Sequence, residues 1–472
     1  MNIATDRPTP PRAARIRLAC SLASAARLAR LRSLLPLAVV ALAGCGTPQL
    51  MPTPNVYAKA GVSPFSDLPA AHQTNTIELL YMTDRTPVNE PGKRLNYSAD
   101  RSDSMAFGAC TVEIGKGISW AQLAQESATA SRAIALPVEV TSTTELGRFP
   151  STPIPMVHDA SGAHVEPEAQ ARAEEQIRAF QAELSRRLAV SPRKHVLIFV
   201  HGFNNSFDDA ALRLAELSHF LGREIVPVLY TWPSGASGGL LRGYQRDSES
   251  AEFTVYHFKE FMRAVADTPG VERIDILAHS RGNAVATTGM RELFLENGGF
   301  AAVDSFKKRF KIHNAVLAAA DLDIEVLEQR MAAEKVGLAV DRTTVYICEA
   351  DKALDLSEWL FNSLARLGQL GQDQYSKMKG RLANIQGLAV VDARVKTDFL
   401  GHGYFQSNPA VSSDLVLILR YDRDPGAEHG RPLKRIVDNY WEIEDTYPVF
   451  EPGTAPVTPP ISTPSAATSA VK

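Results

Sequence analysis

Short, mostly apolar runs that recur between amphipathic stretches constrain this chain most. "HVLIFV", "IVPVLYT", "RIDILA" and "IHNAVLAA" follow one another from His195 to Ala319. "HVLIFV" in particular has no polar side to offer to water after His195, so it needs cover on both faces, as a strand inside a parallel sheet has. Between them lie "DDAALRLAELSHFLG", "AEFTVYHFKEFMRAVADT" and "RGNAVATTGMRELFLEN", whose apolar residues recur at helical spacing. The pattern extends in both directions. "TIELLYMTDR" and "ACTVEIG" read as early strands, and "EPEAQARAEEQIRAFQAELSRRL" as a charged amphipathic helix. "IEVLEQRMAAEKVG", "TTVYICEA", "LSEWLFNSLARLG", "GLAVVDAR" and "SDLVLILRYD" then read as helix, strand, helix, strand and helix. Alternation on this scale predicts an α/β chain with a doubly wound, mostly parallel sheet and helices on both faces.

Ligands of such sheets sit outside the carboxyl ends of the strands, so the chemistry belongs in the loops that follow them. After "VLIFV" comes "HGFNNSFDD", and after "VLYTW" comes "PSGASGG". "DILAHSRGNA" places Ser280 at a strand-to-helix junction, with Ala278 and Gly282 two residues to either side. That is the layout of a nucleophile elbow, which needs small flanking residues because the strand and helix backbones nearly touch. Asp351 follows "VYICE" and His402 follows "LAVVDARVKTDF". A serine hydroxyl needs an imidazole to take its proton and a carboxylate to hold that imidazole, so Ser280, Asp351 and His402 form a candidate triad. Asp321 and Asp323 are rival acids and His313 a rival base. His201 and His279 flank the site as positioning residues. Asn204 and Asn205 are turn formers or substrate contacts, and Trp232 caps the sheet or forms a pocket wall. Ser280 could also simply cap the following helix.

The ends stand outside this fold. Residues 1–44 carry seven arginines and one aspartate, then "LLPLAVVALAG", too short for a comfortable membrane span but suited to a secretory leader. "LAGC" ends at Cys45 and resembles a lipoprotein processing site, which implies a lipid on the Cys45 sulfur. An ordinary signal peptide or an uncleaved anchor is the alternative. Losing the leader takes the net charge from −3 to −9, which gives no electrostatic reason to bind nucleic acid. Gly46 after the cysteine favours the outer membrane, with the domain facing the periplasm. Residues 45–75 read as a Pro-rich tether with a reach on the order of 30 Å. Residues 76–450 read as one domain, and 451–472 as a Pro/Ser/Thr tail without a core. Cys110 and Cys348 could pair in an oxidising compartment, although the apolar surroundings of Cys348 favour a buried thiol.

The set "LIFVHGFNNSF", "YTWPS", "DILAHSRGN", "YICEADKAL" and "HGYF" resembles a bacterial family of α/β-hydrolases, many of them envelope proteins of unassigned substrate. The likeness spans roughly Ile77 to Asp422, and Ala278 departs from the more usual glycine. It implies the α/β-hydrolase fold, with Ser280 as nucleophile, Asp351 as acid and His402 as base. It also implies an oxyanion hole from the N–H groups of Phe203, after Gly202, and of Arg281. The expected function is cleavage of a small ester or lipid through an acyl-enzyme, without metal or cofactor, since metal, Walker and dinucleotide motifs are missing from the sequence. Amide or peptide hydrolysis, or an idle lipid-tethered scaffold, are the competing readings.

Overall fold

The computed structural model describes residues 47–59, 62–160, 162–235, 238–354, 366–370, 386–397 and 401–450. The strands are β1 (Thr76–Val88), β2 (Asn96–Ile114), β3 (Val138–Arg148), β4 (Met156–Asp159), β5 (Gly162–Val165), β6 (His195–Val200) and β7 (Val226–Thr231). They continue with β8 (Arg273–His279), β9 (Ile312–Ala318), β10 (Arg342–Ile347), β11 (Leu388–Arg394), β12 (Lys434–Val437) and β13 (Tyr440–Glu444). Eleven form one sheet in the order β12-β13-β11-β10-β9-β8-β6-β7-β1-β2-β3, and β4 and β5 make a separate hairpin. From β1 across to β13 every pairing is parallel, and antiparallel strands close both edges.

Two buried clusters divide the strand residues by alternation. Leu197 and Phe199 of β6 and Leu277 of β8 face one core, while Val196, Ile198, Val200, Ile274, Ile276 and Ala278 face the other. A period of two with both faces covered is why these strands read as unbroken apolar runs. The longer helices are α1 (Pro167–Val190), α2 (Phe207–Phe220), α3 (Gly239–Phe253), α4 (Val255–Ala266), α5 (Gly282–Glu296), α6 (Val303–Phe310) and α7 (Pro409–Leu419). α2 and α7 cover the first face; α1, α4, α5 and α6 cover the second.

The chain leaves β6 toward β7 on one side, then returns across β6 to β8 on the other. Right-handed crossovers in opposite directions must lie on opposite faces. α2 and α4 do so, which opens a crevice at the carboxyl ends of β6 and β8.

Several expectations need correction. One compact unit begins at Gln49, and part of the span read as a tether belongs to it. Of the preceding unit, Met1–Pro48, only Thr47 and Pro48 are described. Leu50, Met51, Val56 and Tyr57 are buried, and the Tyr57 hydroxyl donates to Phe220 O at 2.6 Å. Four side chains inserted between prolines leave no periodicity to read. The helix expected over "IEVLEQRMAAEKVG" breaks into an α-turn at Ile324–Leu327, a π-turn at Glu328–Ala332 and a 3-10 turn at Val336–Ala339. Cys110 and Cys348, by contrast, are both buried free thiols, the state that the apolar surroundings of Cys348 favoured. The leader, Cys45, the C-terminal tail and most of "LSEWLFNSLARLG" lie outside the described residues. Among the described residues no helix is long and apolar enough to cross a membrane.

Candidate active site

β6 and β8 are neighbours in register, with Val200 opposite Ala278, so the loops that leave them meet. Ser280 has a φ of 53°, a left-handed conformation that costs a non-glycine residue about 1–3 kcal/mol. The turn is held in place. Ser280 N–H donates to Ala318 O at 2.9 Å, and the Asn283 side chain donates to both Ser280 O and Ala318 O. The α5 helix starts at once, and a Cβ on Gly282 would stand 2.3 Å from His201 O. A Cβ on Gly202 would stand 2.7 Å from the Ser280 Cβ. Both glycines therefore answer to close approach, while the Ala278 methyl fits into the core and is fully buried.

The loop after β6 is pinned from beneath by groups that the sequence did not single out. Arg85, at the end of β1, is 1% exposed and donates to Asn205 O at 2.7 Å, Ser234 O at 2.9 Å and Thr231 Oγ1 at 2.9 Å. Burial lowers its pKa to about 10, and the nearby Asp84, Asp247 and Asp209 carboxylates oppose that shift. Asp247 accepts from the N–H groups of Asn204 and Gly235 and from the Ser234 hydroxyl, tying the β6 loop to the β7 loop. The N–H groups of Phe203 and Arg281 find no acceptor among the described residues. In sequence, only the polar pair "DR" at the end of an apolar strand hinted at Arg85; Asp247 left no local signal.

His201 and Trp232 are buried supports of this loop. Their rings stack at 5.3 Å, the Trp232 indole donates to His201 O at 2.8 Å, and Trp232 is fully buried. The pocket-wall alternative for Trp232 is thereby corrected, and packing is its role. Burial first, and Arg85 second, push the His201 pKa well below its usual value, so the ring is neutral. Its Nε2 accepts from Trp232 N–H at 3.2 Å, which leaves its proton on Nδ1, facing Gly202 O at 3.0 Å. Asn204 is exposed at φ 54°, a turn former whose side chain faces solvent.

On the other side, His402 Nδ1 lies 2.8 Å from Asp351 Oδ2, with Asp351 fully buried and His402 21% exposed. The second Asp351 oxygen accepts from the N–H groups of Ala353 and Leu354. "HGYF" anchors the imidazole. The Tyr404 hydroxyl, fully buried, donates to Tyr346 O at 2.9 Å at the end of β10 and accepts from Ala319 N–H at 3.3 Å. Phe405 packs on the His279 ring at 4.6 Å. His279 precedes Ser280, lies 4.8 Å from the His402 ring, and bonds His402 O through Nε2 at 3.2 Å. Burial, with His402 second, pushes its pKa well below its usual value, so it stays neutral. It ties the His402 loop to the elbow.

The rivals are occupied elsewhere. Asp321 accepts from the Tyr244 hydroxyl and pairs with Arg366 at 3.4 Å. Asp323 caps the turn at Ile324–Leu327. His313 sits near the start of β9 between Asp341 and Asp422, at the opposite end of the strand from the elbow.

Comparison with known proteins agrees with this architecture. The sequence profile of a family described as "Alpha/beta hydrolase of unknown function (DUF900)" matches residues 176–420, just over half of the chain. No curated protein matches. A solved lipase-esterase related protein from Clostridium acetobutylicum ATCC 824 is 17% identical over 46% of this chain and 80% of its own, with a TM-score of 0.21.

Proposed function

Because the chain belongs to the alpha/beta hydrolases of unknown function, we propose that it is a serine hydrolase that cleaves carboxylic esters through an acyl-enzyme on Ser280. The observation that carries this reading is the buried Asp351 bound to His402 at the rim that also presents the left-handed Ser280. In the tautomer whose Nδ1–H donates to Asp351, His402 Nε2 carries a lone pair and can act as a base. The Ser280 Oγ–H proton passes to Nε2 as Oγ bonds to the ester carbon. The carbonyl oxygen becomes an oxyanion, which the Phe203 and Arg281 N–H groups are available to receive. Collapse breaks the ester C–O bond, and the imidazolium returns its proton to the departing alkoxide. Water, deprotonated by the same ring, then releases the acid and restores Ser280.

The test is a series of p-nitrophenyl esters set against the matching anilides. Turnover of the esters with a fast first burst supports the reading; turnover of anilides alone would replace it with an amidase. We also propose that lipid on Cys45 tethers the domain to the outer membrane, on its periplasmic side. The sequence "LAGC" supports this. Cys45→Ser should abolish lipid labelling, and a signal-peptidase inhibitor such as globomycin should make the precursor accumulate. Normal maturation in its presence would remove the anchor.

A further inference from the structure

Beside the elbow lies a cavity of about 180 Å³ whose wall includes Arg281, the residue that follows Ser280. Its lining is rich in charge of both signs. Arg281, Arg291, Arg330 and Arg366 meet there, against Asp321, Asp323 and Glu252. Asp321 takes the Tyr244 hydroxyl and pairs with Arg366, and Asp323 Oδ1 accepts from two N–H groups of the following turn. Arg291 is forked onto Glu334. Arg281 and Arg330, in contrast, make no ion pair within 4 Å among the described residues, although the Arg330 charge is felt by Glu334. Arg281 rests over the Tyr244 ring at 5.7 Å, and its Nε is buried without a hydrogen bond. Glu252 stands exposed at the rim, where water screens it.

The cavity neighbours the elbow through Arg281, although Ser280 and His402 do not themselves line it. Asp321 N–H lies 3.4 Å from Ser280 O, and Tyr244 bridges the Phe203 ring at 5.2 Å and the Arg281 guanidinium. Guanidinium groups bind planar oxyanions through paired N–H donors, so two without ion pairs at a half-enclosed site suit a carboxylate or a phosphate. We propose that this cavity binds an anionic oxyacid group carried by the substrate, so that the enzyme prefers esters with a negative charge a few bonds from the scissile carbonyl. This rests on the serine hydrolase reading and narrows its substrate class.

The experiment compares kcat/KM for p-nitrophenyl hemiglutarate and p-nitrophenyl pentanoate, which match in carbon number and differ in charge. The native chain should prefer the anionic ester. Arg330→Gln should lower the anionic-to-neutral ratio on the order of tenfold, and Arg330→Lys should retain part of it. An equal ratio in native and variant chains would overturn the proposal while leaving ester hydrolysis intact. No turnover of either ester by the native chain would strike the hydrolase reading instead, so binding is measured separately in Ser280→Ala. Glutarate and inorganic phosphate, each against chloride at matched ionic strength, should raise its melting temperature, and the larger shift identifies carboxylate or phosphate as the group bound. Adding Arg330→Gln should remove the shift. No shift with either anion, or a shift unaffected by Arg330→Gln, would overturn the anion site.

Discussion

Among the described residues two histidines meet a fully buried aspartate in nearly the same geometry, and only one of them stands at the candidate site. His402 meets Asp351 at 2.8 Å, and His257, on α4, meets Asp84, on β1, at 2.9 Å. Each uses Nδ1 and a fully buried carboxylate. The second pair even continues to a hydroxyl, with His257 Nε2 2.8 Å from Thr152 Oγ1. Taken alone, Asp84–His257–Thr152 has the connectivity of a triad. It lacks the rest. His257 is 3% exposed against 21% for His402, and Thr152 Oγ1 also engages Asp103 O at 3.1 Å. No helix starts after Thr152, whereas the strained Ser280 turn runs straight into α5 beside two N–H groups without acceptors. Hydrogen-bond connectivity makes a staple between helix and sheet in one place. At the carboxyl ends of β6 and β8 a second Asp–His pair stands with a strained turn and unspent donors, the arrangement that the proposed chemistry would use.

Substitutions can break this contrast, beginning with the largest effect. Ser280→Ala should cut ester turnover at least about 10³-fold while its melting temperature holds, since Ala fills the same space; unchanged turnover would remove the nucleophile. Asp351→Asn keeps the shape but favours the wrong imidazole tautomer, so kcat/KM should drop at least about 10²-fold. Asp321→Asn, measured beside it, should cost less than about tenfold, and the reverse order would move the acid to the loop after β9. Asp84→Asn belongs to the stapling pair. It should lower stability by about 2 kcal/mol in denaturant titration and leave kcat within a few-fold, and a large kcat loss at full stability would erase the distinction drawn between the pairs.

The smallest effect is a slope, and it concerns a buried carboxylate with no imidazole partner. Glu216 accepts from Met51 N–H and from the Gln406 amide, and burial raises its pKa from 4.5 to about 7. The folded chain therefore holds this proton more tightly than the unfolded one. Its stabilising contribution is full below about pH 4.5 and is lost as pH rises through about 7. Glu216→Gln should flatten the fall in melting temperature across that window, and an unaltered slope would show that Glu216 does not titrate there.

What could be read from the sequence follows the range of the signal. Buried strands and the loops after them show in local patterns, so Ser280, Asp351 and His402 could be placed at strand ends from spacing alone. The hairpin of β12 and β13 was missed because each strand is short, β12 lies at the sheet edge, and polar residues such as Lys434 and Glu442 break the apolar pattern. Arg85, Asp247 and Tyr404 act across long sequence separations, through carbonyls and loops that no local pattern identifies. Residues 49–59 looked like linker because their proline spacing hides the side chains that enter the core. The supports of the site were illegible for the same reason that they work: each joins loops that only the finished sheet brings together.

The most direct measurement is covalent. The full chain is treated with a fluorophosphonate at neutral pH, digested, and the adduct located by mass spectrometry. A single adduct on Ser280, absent from Ser280→Ala and much slower to form in Asp351→Asn, is the expected result. Ester turnover with no adduct, or an adduct on Thr152 or another hydroxyl, would contradict the assignment of the nucleophile to the turn between β8 and α5.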